Sequence, residues 1–499
     1  MKNFKIFAMG LAMAGALSFT SCADDYLDTA PTDAVSNVTI AQNMESLYLG
    51  LNGIHRQMIS QESGYQCMGG LGGMMYIMDI EADDITWITN TWMKAAYLGW
   101  QCNTSETNGY NTVFWRLYYQ WIMNANGLLD VLNGVDVSTL SGSDMALYEQ
   151  IKGEALVFRA FSHFQAVQTY ADAYKAGGGN SQPGVPYRTV ENRNDGELAR
   201  STVEETYAMI NADLAEACSL LEGKKITELN HWSAKSAYAV RARVAMAMHD
   251  YANAAAYAEK SIQLAEAEGG KLMDASNLYN GFADITSTTK EPLYAAMTQD
   301  DQTIYFYSFY AYMSWNFSAT AIRQGVKAIN ADTYDLMSET DLRRAWWDPT
   351  GEMDVPLTTF KKTPYQNRKF TARSVSNAVG DVAFLRLSEM YLTAAEAYAR
   401  GGNTAKAQEI FTKFQITRDP AYAGGGDLIE EIMTSRRIEL WAEGLRYFDL
   451  KRLNLPIKRG RNFDVTFCTF LEKEAGADGW TWEIPKIETD NNPLCEKNY

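Results

Sequence analysis

Residues 427–452 read DLIEEIMTSRRIELWAEGLRYFDLKR and predict a capped helix that ends at a glycine. Asp427 with Glu430 can cap the start of this helix, and Gly444 can end it in a left-handed turn. Charges of alternating sign follow one another closely: Arg436, Arg437, Glu439, Glu443, Arg446 and Asp449. We expect these side chains to form a structural ion-pair network that holds the C-terminal helix to the helical hairpins, rather than to contact a ligand.

Two segments upstream predict helical hairpins of one kind. In 384–414, alanine and bulky apolar positions recur at helical spacing around a break at Gly401-Gly-Asn403. In 233–265, a similar pattern is interrupted at His249-Asp250. Two alanine-rich helices in about 34 residues are typical of the tetratricopeptide repeat. A plain alanine-rich helical pair is the alternative, and both interpretations predict a mainly α fold with a helical-hairpin scaffold.

Three more helices are predicted nearer the N-terminus, over 115–132, over 147–174, and from a capping-box pattern at Ser201-Thr-Val-Glu204 to Leu221. Helical periodicity fails in 277–382, where prolines and aromatic residues accumulate, and 60–111 is a similar loop-rich stretch. The run Gly69-Gly-Leu-Gly-Gly73 is interpreted as a turn. Loop-rich sequence laid over a helical scaffold is where ligand sites tend to lie.

Composition excludes several classes of protein. The chain of 499 residues carries 44 Lys and Arg against 61 Asp and Glu, a net charge of −17. This balance argues against binding to nucleic acid or to anionic lipid, because both need clustered basic residues. The 12 Trp, 29 Tyr and 20 Phe residues are more than an ordinary core needs. They suggest a binding surface built from flat aromatic faces.

The first residues predict export and a lipid anchor. A basic start, a short apolar run and small residues before Cys22 describe a secretory signal peptide over 1–21. The small residues ending in Cys22 resemble a lipobox, in which the cysteine is acylated; an incidental Cys22 after an ordinary signal peptide is the alternative. The polar segment 22–36 then suits a tether. No later run is long and apolar enough to predict a transmembrane helix.

Catalytic and metal motifs are missing from the sequence. The four histidines are widely separated, and no zinc-binding pair is apparent: His55, His163, His231 and His249. Asp83, Asp84, Asp300 and Asp301 are candidates for the two carboxylates of a glycoside hydrolase, but nothing distinguishes them from surface or hydrogen-bonding acids. We therefore predict no catalytic residue, no metal ligand and no cofactor.

Five cysteines follow Cys22, and none lies in a Cys-x-x-Cys pair: Cys67, Cys102, Cys218, Cys468 and Cys495. Their wide spacing argues against a thiolate metal site and a dense disulfide framework. Whether any two of them form a disulfide stays open.

The segment 427–452 resembles the C-terminal signature of the SusD-like/RagB family. Residues 483–499, with Glu483-Ile-Pro and the ending Asn498-Tyr499, resemble the end of the same family, and 384–398 resembles its best-kept repeat helix. The resemblance implies an outer-membrane lipoprotein with about four tetratricopeptide-like hairpins and a loop-rich ligand face. Such proteins are not enzymes; they cap a SusC-like TonB-dependent transporter and deliver oligosaccharides, or in some members peptides, into it.

This resemblance also suggests how the chain is divided. We expect an N-terminal SusD-like region with helical hairpins over 37–290. A C-terminal region over 291–499 then holds a loop-rich insert, 291–382, followed by a hairpin and the C-terminal helix.

Two aromatic clusters suit the recognition of a sugar, which offers C–H faces and a fringe of hydroxyls. The first contains Trp87, Asn90 and Trp92. The second contains Tyr305, Tyr307, Trp315 and Asn316. The resemblance supports these choices by approximate position, because the family's glycan-binding aromatics lie in two corresponding loops. We predict that these residues bind an oligosaccharide or polysaccharide, with Trp92 and Trp315 as the strongest candidates.

Other interpretations of the same residues remain open. Tyr305, Tyr307, Phe309 and Ala311 alternate and could form a half-buried strand. Trp346-Trp347 is a third possible platform, although its helical flank favours packing. If the aromatics are core, the protein would be a peptide-binding repeat scaffold, and a glycoside hydrolase is a further alternative.

Overall fold

The computed structural model describes residues 43–61, 69–87, 98–299 and 308–498, and it is mainly helical, as the sequence predicts. The helices are α1 (Met44–Gln57), α2 (Gly70–Glu81), α3 (Gly109–Asn133), α4 (Gly142–Tyr170), α5 (Val203–Leu221), α6 (Ala234–Ala247), α7 (Tyr251–Ala267), α8 (Ile285–Thr288), α9 (Phe309–Met313), α10 (Thr320–Arg323), α11 (Ala331–Tyr334), α12 (Leu387–Arg400), α13 (Thr404–Gln415), α14 (Leu428–Glu439), α15 (Arg446–Arg452), α16 (Val465–Cys468) and α17 (Lys486–Asn491). Two short 3-10 helices cover Val137–Thr139 and Leu342–Trp346.

The strands are short: β1 (Ile85–Trp87), β2 (Pro292–Ala296), β3 (Lys327–Ile329), β4 (Trp347–Asp348), β5 (Gln366–Asn367), β6 (Val382–Arg386), β7 (Ile457–Lys458) and β8 (Glu472–Lys473). The predicted signal peptide 1–21, Cys22 and the tether to residue 36 lie outside the described residues. Among the helices of the described ranges, none combines the length and the apolar character needed to span a membrane.

The helical scaffold is a series of neighbouring helices. The hairpin of α3 and α4 packs on α5, α5 contacts α6, and α6 pairs with α7. Helix α7 then packs on α12, which pairs with α13 and contacts α14. The predicted hairpins are thus confirmed as α6–α7 and α12–α13. Small side chains allow the close approach of α6, α7 and α12, because Ala245, Ala254, Ala255 and Ala397 lie together in one buried cluster.

The N-terminus of helix α5 lies one residue later than predicted. The capping box is formed by Thr202 and Glu205, not by Ser201 and Glu204. Ser201 is unavailable as a cap because its backbone is paired in extended form: its N–H donates to Val185 and its carbonyl accepts from Gly184. A tertiary backbone contact therefore moves the helix start.

The C-terminal helix begins as predicted and ends early. The Asp427 side chain accepts from the Glu430 N–H at 3.0 Å. Helix α14 ends at Glu439, however, so the prediction that Gly444 terminates it is wrong. Gly444 has φ +80° and lies against α2, where an added Cβ would be 2.7 Å from the Met75 Cα. The glycine is needed for this close approach between two chain segments.

The glycine run Gly69–Gly73 opens helix α2, so the turn predicted for it is wrong. All twelve residues of α2 are buried. A helix buried on every side has no polar face, so it lacks the periodicity by which sequence analysis detects helices. The alternating segment near Phe309 also forms helix α9 rather than a strand, with Ser308 accepting from the Ala311 N–H at 3.1 Å.

The sequence between α7 and α12 folds into short elements that cover the scaffold. Strands β1, β3, β5 and β4 form one antiparallel sheet in that order, and β1 pairs with β3 through Ile85–Ile329 and Trp87–Lys327. Strands β2 and β6 form a separate antiparallel pair that leads directly into α12. The sheet therefore joins a segment near the N-terminus to the predicted insert 291–382.

The predicted ion-pair network is confirmed and is deeply buried. Glu439 of α14 accepts from Arg418 Nε at 3.0 Å, from Arg386 Nη1 at 3.1 Å and from Arg343 Nη1 at 3.3 Å. Burial by itself would raise the pKa of Glu439, but the three guanidinium groups hold it well below its ordinary value. The partners of Glu439 come from outside the signature segment, which the charge pattern of that segment alone does not reveal.

The other charges of the signature also pair. Glu443 accepts from Lys369 Nζ at 2.7 Å and from Arg386 Nη2 at 2.6 Å. Arg436 donates to Asp449 at 2.7 Å. Two further pairs reach the loop before β1: Arg437–Asp84 and Arg446–Asp83. The signature thus connects the insert, the hairpins and the β1 region through charge pairs.

Glu439→Gln tests how much this network contributes to the free energy of unfolding. Removing the charge takes one shared counter-ion from three buried guanidinium groups, and losing a partner of a buried ion pair costs about 3–5 kcal/mol. We expect a loss of that size in the free energy of unfolding, measured by urea denaturation. Lys413→Met is the matched control, because it breaks the exposed pair Lys413–Glu266 and should cost no more than about 1 kcal/mol. Equal losses in the two variants would contradict the assignment.

Candidate functional site

Trp315 lines a small pocket beside the four-stranded sheet and is half-buried, whereas the other lining residues are buried. Its Nε1–H donates to the Thr371 hydroxyl at 2.9 Å, and its backbone N–H donates to the Phe370 carbonyl at 3.1 Å. The residues around it form the Trp315 surface: Ser314, Trp315, Ile322, Gly325, Val326, Lys327, Gln366 and Asn367. The first bond fixes the orientation of the indole ring and the second fixes the backbone of Trp315, while part of the residue remains accessible.

The Asn316 side chain is hydrogen-bonded within the protein, and Trp87 is buried. The Asn316 side chain donates to the Ala372 carbonyl at 2.8 Å and accepts from the Ala372 N–H at 2.8 Å. Trp87 is 2% exposed at the end of β1. Of the three predicted ligand residues that the structure describes, Trp315 alone keeps a partly exposed side chain, whereas Asn316 and Trp87 support the surface around it.

A short segment connects the Trp315 surface to the buried ion network. Lys369 Nζ donates to the carbonyls of Glu439 and Trp441 at 2.8 and 3.0 Å, besides its pair with Glu443. The next three residues, 370–372, provide the partners of Trp315 and Asn316. The position of the indole ring therefore depends on the anchoring of 369–372 to the C-terminal helix.

Lys327 is a feature of this surface that sequence analysis missed. It is 3% exposed, and its Nζ donates to the Ala321 carbonyl at 2.6 Å and lies 4.4 Å from the centroid of the Trp87 ring. No carboxylate pairs with it within the described residues. Burial lowers the pKa of Lys327 well below its ordinary value. The sequence does not indicate that Lys327 is buried, because a lysine in a short strand normally faces solvent.

Four predicted ligand residues, Asn90, Trp92, Tyr305 and Tyr307, lie outside the described residues. Cys22 and Cys67 lie outside them as well. The remaining cysteines are buried: Cys102, Cys218, Cys468 and Cys495. Burial raises the pKa values of Cys218 and Cys495 to about 12.

The carboxylates considered for hydrolysis are not free where they are described. Asp84 accepts from Arg437 Nη2 at 2.6 Å, and Asp83 accepts from Arg446 Nε at 2.8 Å. Both acids are buried, whereas Asp300 and Asp301 fall outside the described residues. Trp346 is buried too and donates its Nε1–H to the Leu278 carbonyl at 2.6 Å, as expected for packing.

Two histidines that are distant in sequence meet at one buried glutamate. Glu154 of α4 accepts from His55 Nε2 at 2.7 Å, from His231 Nδ1 at 3.0 Å and from the Trp232 N–H at 2.9 Å. The side chains of His55, Glu154 and His231 offer ligand atoms within 4.8 Å of one another, so they are of a type that can hold a metal ion. Sequence spacing did not reveal this convergence.

Glu154 keeps its negative charge in the core because these donors surround it. Burial by itself would raise the pKa of Glu154, but the hydrogen bonds from His231 and His55 outweigh it and lower the pKa to about 2. Burial lowers the pKa of His55, which favours a neutral ring. The hydrogen bonds of this cluster thus satisfy the buried Glu154 carboxylate, and they link α1, α4 and the segment before α6.

The architecture defines a class of protein: a helical-repeat scaffold that carries a small sheet and a partly exposed tryptophan. Two family models match the chain. Residues 25–246 match the SusD-like family described as "Starch-binding associating with outer membrane", and residues 250–499 match the SusD family. The chain belongs to the SusD family.

Crystal structures from Bacteroides share the fold. A SusD superfamily protein from Bacteroides thetaiotaomicron has a TM-score of 0.78 and 21% identity, over 92% of this chain and 100% of its own. A SusD-like carbohydrate binding protein from Bacteroides vulgatus has a TM-score of 0.75 and 21% identity, over 91% and 97% of the two chains.

A third structure, the surface glycan-binding protein A from Bacteroides fluxus, has a TM-score of 0.67 and 17% identity, over 90% and 96% of the two chains. No curated protein matches the chain.

Glu154→Gln tests the buried histidine–glutamate cluster by its pH dependence. The pKa of about 2 lies below the ordinary value of 4.5, so the carboxylate stabilises the fold above pH 4.5 and that contribution is lost as the pH falls towards 2. At about 1.4 kcal/mol per pKa unit, the variant should lose roughly 3 kcal/mol of unfolding free energy at pH 7. Its stability should also fall less steeply than that of the parent below pH 4.5.

The measurement is urea unfolding, followed by tryptophan fluorescence, at several pH values from neutral to acidic. Glu149→Gln is the control, because Glu149 lies on the same helix and pairs with Lys224 at the partly exposed surface. If the acid dependence of Glu154→Gln matches that of the parent, the role given to Glu154 is wrong.

Proposed function

We propose that the protein is a cell-surface lipoprotein that binds oligosaccharide or polysaccharide nutrients and passes them, unmodified, to a SusC-like TonB-dependent transporter in the outer membrane. The match to SusD-family models across 25–246 and 250–499 is the observation that carries this proposal. Relatives of the same fold that are described as carbohydrate-binding and glycan-binding proteins support it.

The Trp315 surface gives the proposal a physical mechanism. A flat indole excludes water from the C–H face of a sugar ring, and polar groups at its edge bind the hydroxyls. Because the Trp315 ring is already held by Thr371 and its backbone by Phe370, little conformational entropy is lost when a sugar stacks on it. Asn90, Trp92, Tyr305 and Tyr307 are proposed to complete the site.

The remaining predicted residues have a supporting role in this mechanism. Trp87 packs under Lys327, and Asn316 fixes the turn that presents Trp315. Catalysis is not part of the proposal, because Asp83 and Asp84 are already paired with arginines. Cys22 is proposed as the acylated residue that tethers the protein to the outer membrane, facing the cell exterior.

Replacing both tryptophans, Trp92→Ala with Trp315→Ala, tests the glycan site. We expect retention on polysaccharide affinity gels to fall to the level of a non-binding protein, because the stacking faces are gone. Thermal stability should change little, since the Trp315 side chain is only half-buried. Tyr238→Ala removes a half-buried ring from helix α6 and should retain full binding.

Unchanged retention by the double variant would remove Trp92 and Trp315 from the site. Retention of a peptide instead of any glycan would favour the peptide-binding scaffold. Release of reducing ends from a panel of polysaccharides would show that the protein is a hydrolase.

Cys22→Ala tests the anchor. Without the thiol there is no site for the diacylglycerol group, which with an additional acyl chain exceeds the two signals that stable membrane attachment needs. We expect the variant to lose incorporation of labelled palmitate and to leave the membrane fraction of expressing cells. Cys102→Ala is the matched control, because Cys102 is buried in the fold. Labelling that persists in Cys22→Ala would exclude this residue as the attachment point.

A further inference from the structure

A second concave region shares no residue with the Trp315 surface. It is a cleft of about 790 Å³, here called the C-terminal cleft. Its walls are residues 172–176, His249, Tyr251, residues 450–455, residues 475–478, Trp480 and Thr481. Its volume falls in the range of about 300–1,000 Å³ typical of small-molecule sites. Four separate chain segments meet there, and none of them carries a residue predicted to bind ligand.

The walls of the C-terminal cleft are fixed by hydrogen bonds within the protein. Lys451 Nζ donates to the carbonyls of Gln168 and Ala171, at the end of helix α4, at 2.7 and 2.8 Å. The Thr481 hydroxyl donates to Asp172 at 2.7 Å. Trp480 Nε1–H donates to the Glu474 carbonyl at 2.7 Å. A ligand would therefore enter a site that is already formed, which lowers the entropic cost of binding.

The lining offers aromatic rings together with unused polar groups. Tyr174 and Tyr251 are half-buried, and the Tyr251 hydroxyl lies 3.1 Å from His249 Nδ1. Asn454 and Asp478 are exposed, and their side chains make no hydrogen bond to any other described residue. Ring faces beside free amide and carboxylate oxygens are the combination that sugar rings and their hydroxyls require.

The charges of the cleft select against an anionic ligand. The Lys451 ammonium is occupied by two carbonyls, and Arg452 is paired with Glu396 and Asp449. Asp172, Lys175 and Asp478 are the exposed charged residues of the lining, so no excess of free positive charge remains there. The net charge of −17 adds a further repulsion against anions.

We propose that the C-terminal cleft is a second saccharide site, which takes a neutral oligosaccharide and is independent of the Trp315 surface. This inference rests on the proposed function, since it assumes that the protein binds glycans. Two separate sites would let one molecule hold two parts of a long polysaccharide, and the avidity would exceed the affinity of either site.

Ala475→Trp fills the cleft and tests the inference. Ala475 lines the cleft and is partly exposed, so the added indole occupies the space without removing any hydrogen bond of the walls. Ala146→Trp is the matched control, because Ala146 is an exposed residue of α4 outside the cleft. Asp478→Ala is a second variant that removes a free acceptor without filling the cleft.

The measurement is isothermal titration of the full protein with a panel of soluble neutral oligosaccharides, namely malto-, xylo-, manno- and cello-oligosaccharides. We expect two sites in the parent and in Ala146→Trp, and one site in Ala475→Trp. Asp478→Ala should weaken the cleft site by roughly tenfold, which is about 1.4 kcal/mol. Trp315→Ala should lose the other site and keep the cleft site.

Each result decides a different question. One binding event that Ala475→Trp does not alter, and that Trp315→Ala abolishes, overturns the second site and leaves the proposed function intact. No binding of any saccharide overturns the proposed function itself, and the inference with it. If galacturonate oligomers or a tryptic peptide mixture bind in the cleft and are displaced by Ala475→Trp, the assignment of a neutral saccharide is wrong.

Discussion

The described fold depends on the ion pairs of one buried carboxylate, that of Glu439. It accepts from guanidinium groups of Arg343, Arg386 and Arg418, which lie in the insert, at the end of β6 and after α13. Charges in a low-dielectric interior are tolerated only when every one of them is paired and hydrogen-bonded. The geometry of these three segments is therefore set together, because all three guanidinium groups must reach the same carboxylate.

The candidate ligand surface depends on the same centre. Lys369 joins the network through Glu443, and the residues that follow it hold Trp315 and Asn316 by backbone and side-chain hydrogen bonds. A loop-rich surface can present an aromatic ring in a defined orientation when its supporting segment is tied to a rigid core. The charge network thus holds this irregular segment of backbone in a fixed position.

Sequence predicted the parts of the structure that depend on local pattern. The alanine spacing of α6–α7 and α12–α13 reports close helix packing, and the alternating charges of 427–452 report an ion-pair network. Helix α2 was missed because it is buried on all sides, and the α5 cap was misplaced because Ser201 is paired with distant backbone. Both misses come from tertiary contacts, which local pattern does not contain.

The candidate site was less predictable for the same reason. Whether Trp87 is a platform or a packing residue depends on Lys327, 240 positions away by the register of β1 and β3. The meeting of His55 and His231 at Glu154 joins residues 99 and 77 positions apart. The charge, burial and ring exposure of such residues depend on the folded structure.

The position of Glu439 and Glu443 along the chain has a consequence for biogenesis. The basic groups that they neutralise, from Arg343 to Arg418, leave a ribosome or a translocation channel first. Until Glu439 and Glu443 emerge, the three arginines have only Asp341 and Glu291 as buried partners, so the network is incomplete. The charge network is therefore completed only at a late stage of synthesis.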